Sequence, residues 1–273
     1  MRAISILLTS ALLLGAAAPP APPTEAWEVN VSPGECTLTR TIAGPPAVTL
    51  SLRTIPGSDA YRLAFVGKEL PRPRSRELVP VTLVFAPDQH FERKARGTTL
   101  ANGLGEAIIF NGLEPDVITA FAGSSSIAVQ GQATLGPFAT PNAKGAVRAL
   151  AGCVRDQLVE WGADPAQFEP GGKMPVALVP RDDWVPSATL LKIPVPSDAQ
   201  VDALFKVTVA ADGGVDGCTQ IGTGVDAKSA TLACDSVLTR RLFTPASDAQ
   251  GKPVRGAAVF EIHLYSERTY NRG

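Results

Sequence analysis

The chain has 273 residues, 45% hydrophobic content and a formal net charge of −1. That length and apolar fraction suffice for one large or two ordinary packed domains. The near-neutral balance supplies no global field that favours nucleic acid or anionic lipid, and no nucleic-acid partner is expected. Basic clusters at 68–76 and 93–96 sit among Pro, Glu and Gly and read as solvated loops.

At the N-terminus, Arg2 precedes an apolar run over 4–14 and then Gly15-Ala16-Ala17-Ala18. This is the pattern of an export signal over 1–18, with cleavage expected between 16 and 26. The run is shorter than the about 20 apolar residues a membrane helix needs. No later segment is longer, so the expected mature chain is exported and spans no membrane. A first domain is expected over 27–161. Residues 27–31, 47–55 and 79–85 are rich in β-branched side chains and strand-like, and Asn102-Gly103 and Asn111-Gly112 mark turns. Residues 113–122 predict a short helix, with Pro115 near its start and Gly123 just beyond its end. Residues 126–130 alternate again. Thr140-Pro141 then offers a capping hydroxyl and a helix-opening proline. From there Ala143, Val147, Leu150, Val154, Leu158 and Trp161 recur at three- and four-residue steps, an amphipathic stripe.

Residues 162–182, with Gly171-Gly172 and repeated prolines, carry no period and predict a linker. Residues 183–266 form the second expected domain. Residues 204–210 alternate, and Ala211-Asp212-Gly213-Gly214 provides a tight hairpin. Residues 215–221 return, residues 229–241 fit a helix with Leu232, Val237 and Leu238 on its apolar face, and residues 257–265 alternate again. In that last segment Ala258, Phe260, Ile262 and Leu264 share one face and Glu261 and His263 the other. The expected fold class is therefore α+β: a β-rich N-terminal domain closed by a helix, a linker, and a three-stranded antiparallel sheet with one packed helix.

The C-terminal order of elements, with Asp212-Gly213, Gly222-Thr223-Gly224, Arg241 through Ala246 and Asp248 through Val254, resembles the C-terminal domain of TonB-family energy transducers over roughly 183–266. The chain departs from the family pattern at Gly222-Thr223-Gly224, where Ser-Ser-Gly is commoner, and at 227–230, where a Leu-Asp pair usually opens the helix. A cysteine pair such as Cys218 with Cys234 looks like a bacterial subgroup of that family. The resemblance implies a Gram-negative envelope and a final strand that accepts an extended peptide from an outer-membrane transporter. On this chain the docking strand would carry Ala257, Val259, Glu261 and His263. Residues 27–161 are more faintly similar to the invasion-associated locus B family of exported proteins, through Trp27, Cys36, a strand-rich middle and the closing helices.

Four cysteines in an exported chain predict disulfides, and four permit three pairings. Cys218 with Cys234 would close a short loop, while Cys36 with Cys153 would tie the start of the first domain to its last helix. No CxxC spacing suggests metal. Catalytic chemistry is weakly represented. Ser124-Ser125-Ser126 lacks a nucleophile elbow, and His90 and His263, expected on a loop and a polar strand face, are the only bases for a triad. Gly171-Gly172-Lys173 lacks the spacing of a phosphate loop, and Asp212 with Asp216 provides too few ligands for calcium. No catalytic, cofactor or metal residue is expected. The function expected is a non-enzymatic periplasmic protein that binds a transporter or another envelope protein by strand addition. A transducer in its own right would need a membrane helix and a long proline-rich spacer, and neither is expected here. The alternatives are a structural or surface-associated envelope protein and a hydrolase with an unrecognised site.

Overall fold

The computed structural model describes residues 26–44, 47–71, 77–197 and 200–266. The export signal expected over 1–18 lies outside them, as do residues 72–76 of the first basic cluster. The strands are β1 (Glu28–Ser32), β2 (Glu35–Ile42), β3 (Val48–Thr54), β4 (Tyr61–Gly67), β5 (Val79–Phe85), β6 (Gln89–Leu100), β7 (Gly105–Leu113), β8 (Ser126–Gly131) and β9 (Leu135–Ala139). All nine form one antiparallel sheet, curled into a half-barrel, in the order β1-β2-β3-β4-β7-β6-β5-β8-β9. The 12-residue β6 pairs with β5 up to Ala95 and with β7 from Arg96 onward, so a single strand carries the sheet around its bend.

Alternation decides which side chains enter the core. Leu38, Leu50, Leu52, Leu63, Phe65, Val81, Leu83 and Phe85 point to one cluster, which α1 (Pro115–Gly123) and α2 (Ala143–Glu160) complete with Val117, Phe121, Ala146 and Leu150. Pro115 opens α1 as expected, and the Ser124 hydroxyl donates to the Phe121 carbonyl at its end. The expected Thr140 cap does not form. Its hydroxyl instead donates to the Ser124 carbonyl, and α2 begins after Asn142, which sits at φ 54° with no side-chain cap.

Beyond α2, Lys173 bridges to Ser247, and β10 (Val176–Ala177) pairs with β13 (Phe243–Thr244). Residues 162–182 are thus built into the fold along the later chain. The short α3 (Ser187–Leu190) follows, then β11 (Gln200–Val209), β12 (Val215–Ile221), α4 (Ala227–Asp235), the ribbon β14 (Ala246–Ser247) with β15 (Pro253–Val254), and β16 (Gly256–Tyr265). The hairpin between β11 and β12 needs Gly213, whose φ of +87° and close approach to the Phe243 carbonyl leave no room for a side chain.

The α+β fold class is overturned. Among the described residues 45% lie in strands and 21% in helices, so the chain is mostly β and its C-terminal part is no small helix-packed module of the TonB type. The physical reason is what covers the β12-β11-β16 sheet. The helix expected over 229–241 stops at Asp235 and buries only Ser229, Ala233 and Cys234. Trp184, fully buried, adds an aromatic cover, packing edge-on to Phe243 at 5.0 Å and against Phe260 of the sheet at 5.9 Å, while Phe205 and Phe260, paired across β11 and β16, stack at 4.8 Å. The sheet is also not free-standing. A Cβ on Gly57 would lie 2.8 Å from the Ala258 Cα, and one on Gly34 would lie 2.9 Å from Leu204 and 3.0 Å from Ile221. Both glycines let the first unit's turns press against the second unit's strands.

Two disulfides staple the chain. Cys36–Cys153 joins β2 to α2 with Cα atoms 6.1 Å apart, and Cys218–Cys234 joins β12 to α4 at 5.4 Å. Beside the first, the buried Gln157 amide grips the β1–β2 turn. Its oxygen accepts from Gly34 N–H at 3.0 Å and its nitrogen donates to the Ser32 and Glu35 carbonyls at 3.2 and 3.0 Å. No helix among the described residues is long and apolar enough to cross a membrane.

Candidate functional site

β16 is the end strand of its sheet: among the described residues β11 pairs with it on one side and no strand pairs on the other. Of the four side chains expected on a docking strand, Ala257 packs with Leu158 and Ala163, and Val259 is likewise buried. Glu261 and His263 emerge beside the free edge. The strand therefore begins inside the joint between the two units and ends at solvent.

A groove of about 660 Å³ runs along that edge. Val259, Phe260 and Glu261 all line it. Consecutive residues point to opposite faces of a strand, so the groove follows the edge rather than either face. Ser58, Asp59 and Ala60 with Gly112 and Glu114 form one wall, and Leu178 through Asp182 form the other. It continues past Glu261 and His263 to Val185, Leu190 and Tyr265. The walls are pinned by Arg181, which donates to Asp59 at 3.2 Å and so ties the segment before Trp184 to the β3–β4 turn. Burial pulls Arg181 below the usual arginine value, with Asp59 and then Glu261 opposing the shift. Arg62, similarly lowered by burial and by Arg53, donates to Asn111 at 2.7 Å.

At the open end His263 bridges two carboxylates. Its Nδ1 lies 2.8 Å from Asp202, directly across the β11–β16 ladder, and its Nε2 lies 3.2 Å from Glu261. Hydrogen bonds from Gln200 first and His263 second hold the Asp202 carboxyl below its ordinary range. His90 lies on β6 rather than in a loop, paired with Val84. Ser124 is occupied as the α1 cap. Among the described residues no group of three or more His, Cys, Asp or Glu side chains gathers as a metal cluster.

Sequence reasoning missed Asp59, Glu114, Arg181 and Gln157. Asp59 lies in an unremarkable turn after Pro56-Gly57, and Arg181 falls in what composition reads as linker. Only the packing of the two units brings Asp59, Glu114 and Arg181 to β16. The chain matches no family model, no curated protein and no solved structure with which it was compared.

Proposed function

We propose that this is an exported, non-enzymatic binding protein of the bacterial periplasm that takes up an extended segment of another envelope polypeptide as an added strand on β16. The observation that carries this is the end strand itself, with its outer row of N–H and C=O groups opening on a groove instead of a core. Two disulfides fit an oxidising compartment. The residues at 241–254 that resemble the TonB family make an outer-membrane transporter our proposed partner. The burial of Ala257 and Val259 favours a second reading, a structural envelope protein in which β16 only joins the two units.

The test replaces His263 with a photo-crosslinking residue in intact cells and identifies the captured segment by mass spectrometry. A synthetic copy of that segment should bind the purified disulfide-bonded chain. N-methylation at alternate backbone positions should abolish binding, because it removes the donors a ladder needs. An N-methylated peptide that binds as tightly as its parent refutes strand addition.

A further inference from the structure

Resting on that reading, we infer that the segment taken up along β16 is basic, an extended stretch in which lysine or arginine alternates with apolar residues. The groove presents its acids outward. Asp59 and Glu114 are 77% and 60% exposed, and Asp182 and Glu261 also reach solvent. The cations that pair with them are recessed: Arg181 is 19% exposed beneath Asp59, and Arg93 is 26% exposed beneath Glu114. Arg62 is engaged by Asn111 and Arg53 by Glu35. A strand laid on β16 therefore meets the carboxylates of Asp59, Glu114, Asp182 and Glu261, against the exposed guanidinium of Arg62, which Asn111 holds.

The apolar half of the pattern comes from Leu178 and Val179, 53% and 43% exposed on the opposite wall. An added strand sends alternate side chains to opposite faces. One set would lie level with Glu261 and Asp59, and the other would meet Leu178 and Val179. Opposite charges facing each other across strands attract, and like charges repel. Several such pairs distinguish a basic from an acidic segment by about tenfold or more.

The experiment uses the full disulfide-bonded chain and three synthetic peptides of about ten residues, a strand's length, alternating valine with lysine, glutamine or glutamate. Binding is read by fluorescence anisotropy at low and high salt. The lysine peptide should bind at least about tenfold tighter than the glutamate peptide and lose that advantage as salt screens it. Combining Asp59→Asn, Asp182→Asn and Glu261→Gln should bring the lysine and glutamate peptides to the same affinity. Equal or tighter binding of the glutamine or glutamate peptide overturns the basic specificity and leaves strand addition standing. No binding by any of the three overturns both. The peptide series on the unaltered chain decides the matter even if the triple variant fails to fold.

Discussion

Replacing Gln157 with leucine tests whether a single buried amide holds the β1–β2 turn against both α2 and the C-terminal sheet. Leucine has a similar volume, although it branches one atom closer to the backbone, so little volume is lost. What disappears is the acceptor for Gly34 N–H and the donor to the Ser32 and Glu35 carbonyls. An orphaned buried donor costs about 1–3 kcal/mol, and the two carbonyls each lose a modest further contribution. The sum is about 2–4 kcal/mol, reduced by the smaller desolvation of leucine. For a chain of this size that corresponds to a fall in melting temperature of about 5–10 °C. Gln157→Glu keeps the acceptor for Gly34 but turns a carboxylate towards two carbonyls. That repulsion raises its pKa, so this variant should be destabilised at neutral pH and recover as pH falls and the acid protonates. Urea midpoints with the disulfides intact measure both. A Gln157→Leu loss below about 0.5 kcal/mol would refute the reasoning, because such a loss is the size of an ordinary surface change. The turn would then be held by Cys36–Cys153 alone.

Cys218→Ala combined with Cys234→Ala opens a loop whose ends are 16 residues apart, and the chain-entropy model gives a loss of about 3 kcal/mol, read as a lower urea midpoint. Asp202 supplies a pH-dependent term. Its folded pKa is depressed, so its contribution is complete above the ordinary carboxylate value of about 3.9 and disappears as pH falls through the lowered value. Asp202→Asn should therefore flatten the acid limb of the stability profile and change little above it. An unchanged acid limb would show that the contacts with Gln200 and His263 do not favour the carboxylate.

Local pattern made much of this molecule legible. Period-two alternation marks β3, β5 and β11 because each strand buries one face, whereas β16 is buried on both faces as far as Phe260 and alternates only beyond it. Pro115 and Gly123 bracket α1 because a proline cannot give an N–H and a glycine ends a turn cheaply. Gly213 marks the hairpin because only glycine tolerates its backbone. The α2 stripe is equally plain in Leu150, Val154 and Leu158, whereas Gln157 on the same helix looks merely polar until the Gly34 turn is found against it.

Partner choice is where one-dimensional pattern runs out. The alternation of β6 does not say that its first half pairs with β5 and its second with β7, since bending a sheet is a property of all its strands together. An even cysteine count allows three pairings, and only folding brings Cys36 to Cys153 and Cys218 to Cys234. The helix read past Asp235 stops there, and Trp184, distant in sequence, packs against Phe243 and Phe260. The groove beside β16 has no linear signature: Asp59, Arg181 and Glu261 meet because Gly34 and Gly57 let two units approach closely. Strand and turn identities are local steric facts that each segment carries alone, whereas the half-barrel, the joint and the groove are sums over distant contacts that exist only once the chain has closed on itself.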